Sequence, residues 1–371
     1  MFGKGQNIIQ ILEQFAPKTL AYPEDKIGLQ IGTLNKKIKR VMLTLDVLED
    51  VVDEAIEKEV DLIISHHAII YKPIKSLRTD LPTGRLYEKI IKNNIAVYVA
   101  HTNLDVTKNG VNDVLAQKIG IINPEVLEPS HIQKLKKIVV FVPESHQQQI
   151  IDALSNNGAG WIGNYSHCTF NVSGIGTFMP HEGTNPYIGE QGKLEKVKEV
   201  RVETIVPEIN LTQAIQAMLK AHPYEEVAYD IYPLDLQSKK EGIGRIGKLE
   251  DTMSLKEYAE FVKKQLQVDG IRIIGDLNKK IRKVAVVGGD GNSFVSKAAF
   301  RGADVLVTGD IYYHVAHEAL AQGLSIIDAG HYIEKHVLGG LEEYLTKEFL
   351  DRGLKTEVII SEVDTNPFQF L

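Results

Sequence analysis

One order of strands and helices occurs twice, once near each end of the chain, and this repeat limits the possible folds most strongly. Near the start, apolar, β-branched runs separated by helical patterns predict strands at residues 40–47, 61–67 and 95–105. Near the end, the same order predicts strands at residues 283–291, 304–310 and 324–334. Two similar α/β halves with a site between them are the favoured interpretation. A chance likeness between two ordinary α/β units is the alternative.

The segment between these halves has a different pattern. Its strands and helices follow the order β–α–β–β–α–β, from a strand at 136–143 to a last strand at 226–234. That order is typical of a ferredoxin-like α+β domain. Residues 121–134 and 235–242 are predicted linkers. We therefore predict one discontinuous α/β domain, residues 1–127 and 240–371, interrupted by an inserted ferredoxin-like domain, residues 130–238.

Composition excludes several classes of protein. A net charge of -7 argues against a general nucleic-acid binder, which needs a basic face. With Cys168 as the single cysteine, an intrachain disulfide and a thiolate-based zinc site are both excluded. No apolar run is long enough to predict a membrane span, and the first residues do not resemble a signal peptide. A cytoplasmic location is the expectation.

Polar residues cluster where the predicted strands end. They are His66 and His67, then His101 and Asp105, and in the second half His331 and Glu334. Ligands of open α/β sheets bind at the carboxyl ends of the strands. If a helix begins at Tyr332, His331 and Glu334 share one of its faces. Together these positions predict a metal site.

The residue types narrow the choice of metal. Three of these histidines (His66, His67 and His331) and the two carboxylates (Asp105 and Glu334) suit zinc, iron, manganese, cobalt or nickel better than calcium or magnesium. Five protein ligands exceed what one open catalytic ion takes. Two ions roughly 3.5–4 Å apart and sharing a carboxylate would use all five, and such a pair activates water. Asp310 matches His67 in the repeat, and it either supports a ligand, acts as a base or caps a helix.

Other motifs carry less weight. GIGRIG at 242–247 satisfies GxGxxG literally but follows a polar linker, so a dinucleotide site is not expected. GGDGNS at 288–293 either holds a phosphate on backbone amides or makes a turn that needs positive φ. His314 and His317 are expected to face solvent. HPYEE at 222–226 is expected to end a helix and to expose its acidic pair.

Several motifs, taken in order, resemble those of a known family. They are IGLQIG, LIISHH, AHTNLD, GIGRIG, VLVTGD, DAGHY and DTNPFQ. The chain is similar to the Nif-three-like dinuclear metal-centre family, also catalogued as GTP cyclohydrolase 1 type 2 homologues, over residues 1–125 and 240–371. The middle segment resembles the CutA-like and PII-like inserts of the longer bacterial members.

This resemblance implies a set of metal ligands and an assembly. The implied ligands are His66, His67, Asp105, His331 and Glu334, with the carboxylate bridging two divalent ions per subunit. Zinc is the expected metal, and a toroidal homohexamer is implied. Many members separate the last His and Glu by four residues, whereas here the spacing is three and Lys335 holds the fourth place.

Two functions fit these features. The first is a metal-dependent hydrolase acting on a nucleotide or other phosphate-containing compound, GTP cyclohydrolase-like by family label. His101 and Asp310 are then the candidates for proton transfer. The second is a non-catalytic regulatory protein that senses a metal or a metabolite through the inserted domain. The sequence contains no recognisable guanine-binding motif.

Overall fold

The computed structural model describes residues 1–236 and 240–371, and its chain contacts form two compact units. Unit 1 comprises Met1–His131 and Glu241–Leu371, and unit 2 comprises Ile132–Lys240. The strands are β1 (Gly3–Lys4), β2 (Gly28–Ile31), β3 (Lys37–Ile38), β4 (Arg40–Thr44), β5 (Leu62–Ser65), β6 (Ala96–Val99), β7 (Ile122–Ile132), β8 (Leu135–Pro143), β9 (Thr169–Phe178), β10 (Glu195–Pro207), β11 (Tyr229–Leu234), β12 (Lys240–Ser254), β13 (Arg272–Ile274), β14 (Lys280–Asp290), β15 (Val305–Gly309), β16 (Ser325–Asp328) and β17 (Glu357–Ile360). The α-helices are α1 (Gly5–Phe15), α2 (Glu49–Glu57), α3 (Pro82–Lys92), α4 (Thr102–Val106), α5 (Val111–Lys118), α6 (Gln147–Ser155), α7 (Leu211–Ala221), α8 (Leu255–Gln265), α9 (Val295–Phe300), α10 (Tyr313–Ala321) and α11 (Val337–Asp351).

Two larger sheets dominate unit 1. The five-stranded sheet has the order β17-β4-β5-β6-β2, and β4, β5 and β6 run parallel. The six-stranded sheet has the order β13-β16-β15-β14-β12-β7, and β14, β15 and β16 run parallel. An antiparallel strand borders each parallel trio, β2 beside β6 and β13 beside β16. The protein is therefore a mixed α/β structure with several sheets.

Asp61 and Asp304, which directly precede β5 and β15, have the same contacts in the two sheets. Asp61 Oδ2 accepts hydrogen bonds from the backbone amides of Lys39 and Arg40, at 2.6 and 3.4 Å. Asp304 Oδ2 accepts from the amides of Arg282 and Lys283, both at 2.8 Å. In each sheet the carboxylate thus accepts hydrogen bonds from the two amides that directly precede Val41 in β4 and Val284 in β14, the first residues of these strands that pair with β5 and β15.

The parallel strands of unit 1 are buried because helices and the other sheet cover their faces. All residues of β5, β6, β15 and β16 are buried, which is why each is an almost continuous apolar run. The largest core cluster contains strand residues from both sheets, including Val41, Leu62, Val284 and Val305. The core therefore fixes both sets of strand ends from which the site side chains extend.

Unit 2 contains a four-stranded antiparallel sheet with two helices. The strand order is β11-β8-β10-β9, with all three pairings antiparallel. Apolar residues of β8 and β10 pack with those of α6 and α7, including Ile138, Val202, Leu154 and Met218. One apolar sheet face is thereby covered by the two helices.

Both predicted linkers were wrong in part. Residues 122–132 form β7, and residues 240–242 begin β12; residues 237–239 lie outside the described residues. β7 includes Pro124 and Pro129, and it is an edge strand, where an absent amide hydrogen is tolerated. GIGRIG lies within β12, so it does not form a strand-to-helix phosphate loop. None of the described helices has the length and apolarity that crossing a bilayer requires.

Candidate metal centre

Four histidines lie just beyond buried parallel strands of unit 1. His66 and His67 follow β5, and their amides continue the sheet by donating to Thr44 O and Leu45 O, at 3.1 and 2.9 Å. His101 follows β6, and His331 follows β16 after Gly330, which has a φ of 82°. The rigid strands thus determine where each imidazole begins.

The Glu334 carboxylate is the point where these side chains meet. Its Oε2 lies 3.0 Å from His67 Nε2, 3.3 Å from His331 Nε2 and 3.6 Å from His66 Nε2. Asp105 Oδ1, from α4, lies 3.5 Å from His66 Nε2. All five predicted ligands are therefore brought together.

The spacing of three between His331 and Glu334 has a structural reason. Residues His331–His336 form a 3-10 helix, in which residues three apart lie directly above one another. The sequence predicted that the two side chains share a helical face, and they do. Lys335, in the fourth place, instead has its ammonium group 4.3 Å from the Tyr332 ring centroid.

Three groups of side chains are close enough to hold a metal ion. They are His66 with Asp105 and Glu334, His67 with His331 and Glu334, and His66 with His67 and His101. Within each group the ligand atoms lie within 4.8 Å of one another. Glu334 belongs to two groups.

The residues of these three groups, His66, His67, His101, Asp105, His331 and Glu334, form one metal cluster. Each imidazole of the cluster has its Nδ1 atom hydrogen-bonded to an acceptor. His66 Nδ1 donates to Ala100 O at 3.0 Å, and His67 Nδ1 donates to Asp46 Oδ1 at 2.7 Å. The other two bonds are His101 Nδ1 to Asp25 Oδ1 at 2.9 Å and His331 Nδ1 to Asp310 Oδ2 at 2.7 Å. Metal-binding histidines characteristically donate their other ring N–H to a carboxylate or carbonyl, which orients the ring. The four Nε2 atoms are accordingly the available ligand atoms.

Two buried polar atoms of the cluster lack a hydrogen-bond partner among the described residues. They are His66 Nε2 and Asp105 Oδ1, which belong to residues only 1% and 8% exposed. A buried polar atom without a partner costs about 1–3 kcal/mol. A cation coordinated by both atoms would remove that cost, so the donor set fits a divalent metal ion.

The electrostatic field at the cluster also favours cations. Burial lowers the pKa of His67, but hydrogen bonds with Asp46 and Glu334 outweigh it and raise the pKa to about 10. Burial also lowers the pKa of His331, but the carboxylates of Glu334 and Asp310 outweigh it and raise this pKa to about 9. Burial raises the pKa of Asp105 to about 6. Burial also acts to raise the pKa of Glu334, but the neighbouring histidines outweigh it and hold this pKa well below its usual value. The carboxylates thus stabilise positive charge on the rings that they surround.

GGDGNS contributes space to the cluster. Gly289, at the end of β14, has a φ of 67°, and a Cβ there would lie 2.6 Å from Glu334 Oε1 and 3.1 Å from His331 Nε2. Two other amides of the motif already have protein acceptors, since Gly288 N donates to Asn112 Oδ1 and Gly291 N to Gly309 O. The turn interpretation is therefore favoured over a phosphate loop.

Two aspartates that orient histidines were missed from the sequence. Asp46 follows β4 in the way that His66 and His67 follow β5, so its strand-end position was an available signal. Asp25 lies in an irregular segment and carries no comparable signal. Burial raises the pKa of Asp25, but hydrogen bonds from His101 and Thr102 outweigh it and lower the pKa strongly. Both carboxylates are therefore placed to remain charged beside their histidines.

The remaining sequence candidates have distinct environments. Asp310 follows β15 with a φ of 56°, and it contacts His331 rather than capping α10. His314 and His317 are exposed on α10, as predicted, and contact the ring of Tyr313. Within the described residues, neither belongs to a group that could hold a metal ion.

Comparisons with known proteins agree with this architecture. The family model described as Duf34/NIF3 (NGG1p interacting factor 3) matches residues 3–367. A Bacillus subtilis (strain 168) protein named GTP cyclohydrolase 1 type 2 homolog is 54% identical over 367 residues, 99% of this chain and 98% of that protein. A Halalkalibacterium halodurans protein of the same name is 53% identical over 367 residues, 99% of each chain.

Solved structures give the same result. The crystal structure of a Bacillus cereus protein related to NIF3 superposes with a TM-score of 0.95 at 50% identity, covering 100% of both chains. A Staphylococcus aureus protein superposes with a TM-score of 0.81 at 31% identity, covering 100% of this chain and 99% of that one. The chain therefore belongs to the Duf34/NIF3 family.

Proposed function

We propose that this protein binds two divalent metal ions and hydrolyses a nucleotide or another phosphate-containing compound. The observation that carries the proposal is the contact of Glu334 Oε2 with three imidazole Nε2 atoms, within 3.0–3.6 Å. These histidines come from strand ends of both sheets, and each has its Nδ1 bonded elsewhere. A buried carboxylate so placed is suited to bridge two ions.

The proposed ligands divide into two sets that share Glu334. One ion would be held by His66 and Asp105, and the other by His67 and His331. Two such ions supply an activated water and stabilise negative charge on substrate oxygens. Zinc is the proposed metal, and iron, manganese, cobalt or nickel would suit the same imidazole and carboxylate ligands.

The chain's own residues have separate roles in this proposal. We assign proton transfer to His101, because Asp25 holds its Nδ1 and the ligand atoms of His101, His66 and His67 lie within 4.8 Å of one another. Burial lowers the pKa of His101, but Asp25 and Asp105 outweigh it and raise the pKa, so the ring is able to donate a proton. Asp310 is assigned the positioning of His331.

A cavity of about 400 Å³ lies beside the cluster and offers room for the organic part of a substrate. His67 and Asp46 are among the residues that line it, and its apolar lining residues include Leu48, Ile69 and Leu86. The carboxylates of Asp46 and Glu49 disfavour a phosphate within this cavity. A phosphate group is better accommodated at the proposed ions. The cyclohydrolase reaction itself is supported only by the names of the relatives.

The finer architecture is also proposed. The matched contacts of Asp61 and Asp304 support two similar halves in unit 1. The strand order β11-β8-β10-β9 with two helices on one face supports an inserted ferredoxin-like domain. A homohexamer is proposed from the family resemblance, and light scattering after size-exclusion chromatography tests it.

Metal analysis of the purified protein, with an anomalous difference map, tests the dinuclear centre. We expect two ions per chain, adjacent to Glu334, and fewer in His67→Ala. His314→Ala, which removes an exposed histidine of unit 1, is the matched control and keeps both ions. One ion per chain, or ions distant from His66 and His331, would overturn the dinuclear proposal.

A turnover assay tests the hydrolase assignment separately. The metal-loaded protein is incubated with GTP, other nucleotides and phosphoesters, and products are separated by chromatography. We expect turnover that is lost in His67→Ala and retained in His314→Ala. Absence of turnover across the panel, with both metal ions present, would refute catalysis and leave the metal centre standing.

A further inference from the structure

A cavity of about 390 Å³ is lined by residues of unit 2, and no residue of the metal cluster is among those described as lining it. Phe178, Tyr187 and Tyr224 line it, and their ring centroids form a chain with separations of 5.9 and 6.2 Å. The volume lies within the range of small-molecule sites, roughly 300–1,000 Å³. Aromatic rings arranged in this way offer both apolar surface and negatively polarised faces.

A buried carboxylate forms part of the cavity wall. Glu199, on β10, is 9% exposed, and its Oε1 accepts a hydrogen bond of 2.9 Å from the Tyr224 hydroxyl. Lys137 and Arg201, two basic residues of the same sheet, pair with Glu203 instead. A Cβ at Gly176, also in the wall, would overlap Glu199 Oε2, so glycine leaves the space that this carboxylate occupies.

The charged side chains among the described residues that line the cavity are all carboxylates. Glu225 and Glu226 add two exposed carboxylates to that of Glu199, and no lysine, arginine or histidine is among the described residues that line it. Burial and the Glu199 carboxylate raise the pKa of the Tyr224 hydroxyl, which keeps this group a donor to Glu199. A buried carboxylate is costly unless a cation or strong donors accompany it.

The occupant that fits these walls is an organic cation rather than a metal ion. Among the described residues, the side-chain groups close enough to share a metal ion all lie in unit 1. The cavity carboxylates are therefore suited to a larger ligand whose charge contacts Glu199 and whose body contacts the rings. Cations are attracted to aromatic faces within about 6 Å of the ring centroid.

We propose that this cavity binds a small organic ammonium ion with an apolar body, held by Glu199 and by the rings of Phe178, Tyr187 and Tyr224. The motif HPYEE, at 222–226, contributes Tyr224, Glu225 and Glu226 to the lining of this cavity. As predicted, α7 ends at Ala221 before Pro223, and Glu225 and Glu226 are exposed. The same segment brings Tyr224 to Glu199, and His222 Nε2 donates to Phe141 O at 3.0 Å. A site of this kind is what the regulatory alternative requires.

Calorimetric titration of the full-length protein with three phenyl compounds tests the proposal. Phenethylammonium is the cationic probe, phenethyl alcohol its neutral analogue and phenylacetate its anionic analogue. We expect phenethylammonium to bind at one site per chain, and the other two compounds to bind at least tenfold more weakly. Equal binding of the alcohol, or no binding of the ammonium probe at millimolar concentration, would overturn the proposal.

Variants locate the site. Glu199→Gln keeps the shape of the side chain and removes its charge, so we expect at least a tenfold loss of affinity. Glu203→Gln, on the same strand but paired with Lys137, is the matched control with unchanged affinity. If Glu199→Gln fails to fold, Glu226→Gln at an exposed position replaces it, with a smaller expected loss. Unchanged affinity in the folded variants would refute this assignment, whatever the outcome at the metal centre.

Discussion

The substitution Asp46→Asn tests the proposed division of the cluster between two ions. Asp46 Oδ1 accepts from His67 Nδ1 at 2.7 Å, and its Oδ2 accepts from the Thr365 hydroxyl at 2.7 Å. The side-chain oxygen of an asparagine would still accept the hydrogen bond from His67 Nδ1. Its NH2 group would lie near the Thr365 hydroxyl, which would then accept a hydrogen bond from it. The change therefore removes the charge behind His67 while preserving the ring orientation.

The expected magnitude follows from the place of His67 in the cluster. Mutation of the carboxylate behind a metal-binding histidine, which raises the basicity of the ring, weakens metal affinity by about 10–100-fold, or about 1.4–2.7 kcal/mol. Only the ion held by His67, His331 and Glu334 should be affected. The ion held by His66 and Asp105 should retain its affinity, because His66 is oriented by the backbone carbonyl of Ala100. Asp310→Asn should weaken the same ion through His331.

Competition with a chromophoric zinc chelator measures the two affinities separately. We expect one strong and one weakened site in Asp46→Asn, and wild-type behaviour in Asp276→Asn, whose carboxylate accepts a turn amide from Asn278. Equal weakening of both sites would refute the division into two ligand sets. No change at either site would refute the contribution of the Asp46 charge to metal binding by His67.

Three further predictions concern the carboxylate that is proposed to bridge the ions, its neighbouring glycine and a buried histidine of unit 2. Glu334→Gln should reduce the metal content of both sites, because both ligand sets contain this residue; retention of two ions by elemental analysis would contradict bridging. Gly289→Ala should also lose metal, since its Cβ would lie 2.6 Å from Glu334 Oε1. Gly323→Ala is the control, because Gly323 has a similar φ of 74° and open space where a Cβ would lie. Both variants should have about 1–2 kcal/mol of backbone strain. Only Gly289→Ala should change the metal content. Burial lowers the pKa of His222, so the unfolded chain binds more protons than the folded one, and stability should fall as the pH drops below about 6.5. Thermal unfolding at pH 7.5 and 5.5 should show a smaller pH dependence in His222→Gln than in His181→Gln, an exposed control; equal dependence would contradict the assignment.

Much of the strand framework was predictable because burial leaves a local pattern. Parallel strands covered on both faces become apolar runs, and β4, β5, β15 and β16 all show such runs. The family was also predictable, because the ordered motifs are specific, and the match over residues 3–367 confirmed it. The linkers were less predictable, because β7 contains two prolines and is a strand only by pairing at a sheet edge.

The sequence by itself determined which side chains stand at the strand ends, because strand positions follow from local periodicity. Only the tertiary structure decided how those side chains combine. His67 and Glu334 are 267 residues apart, yet their atoms lie 3.0 Å from each other, and Asp25 reaches His101 across 76 residues. The cavity of unit 2 likewise depends on β8, β9, β10 and the segment after α7 packing together. Such contacts are set by the burial of the whole core, which no local pattern encodes, and they turn separate polar residues into sites.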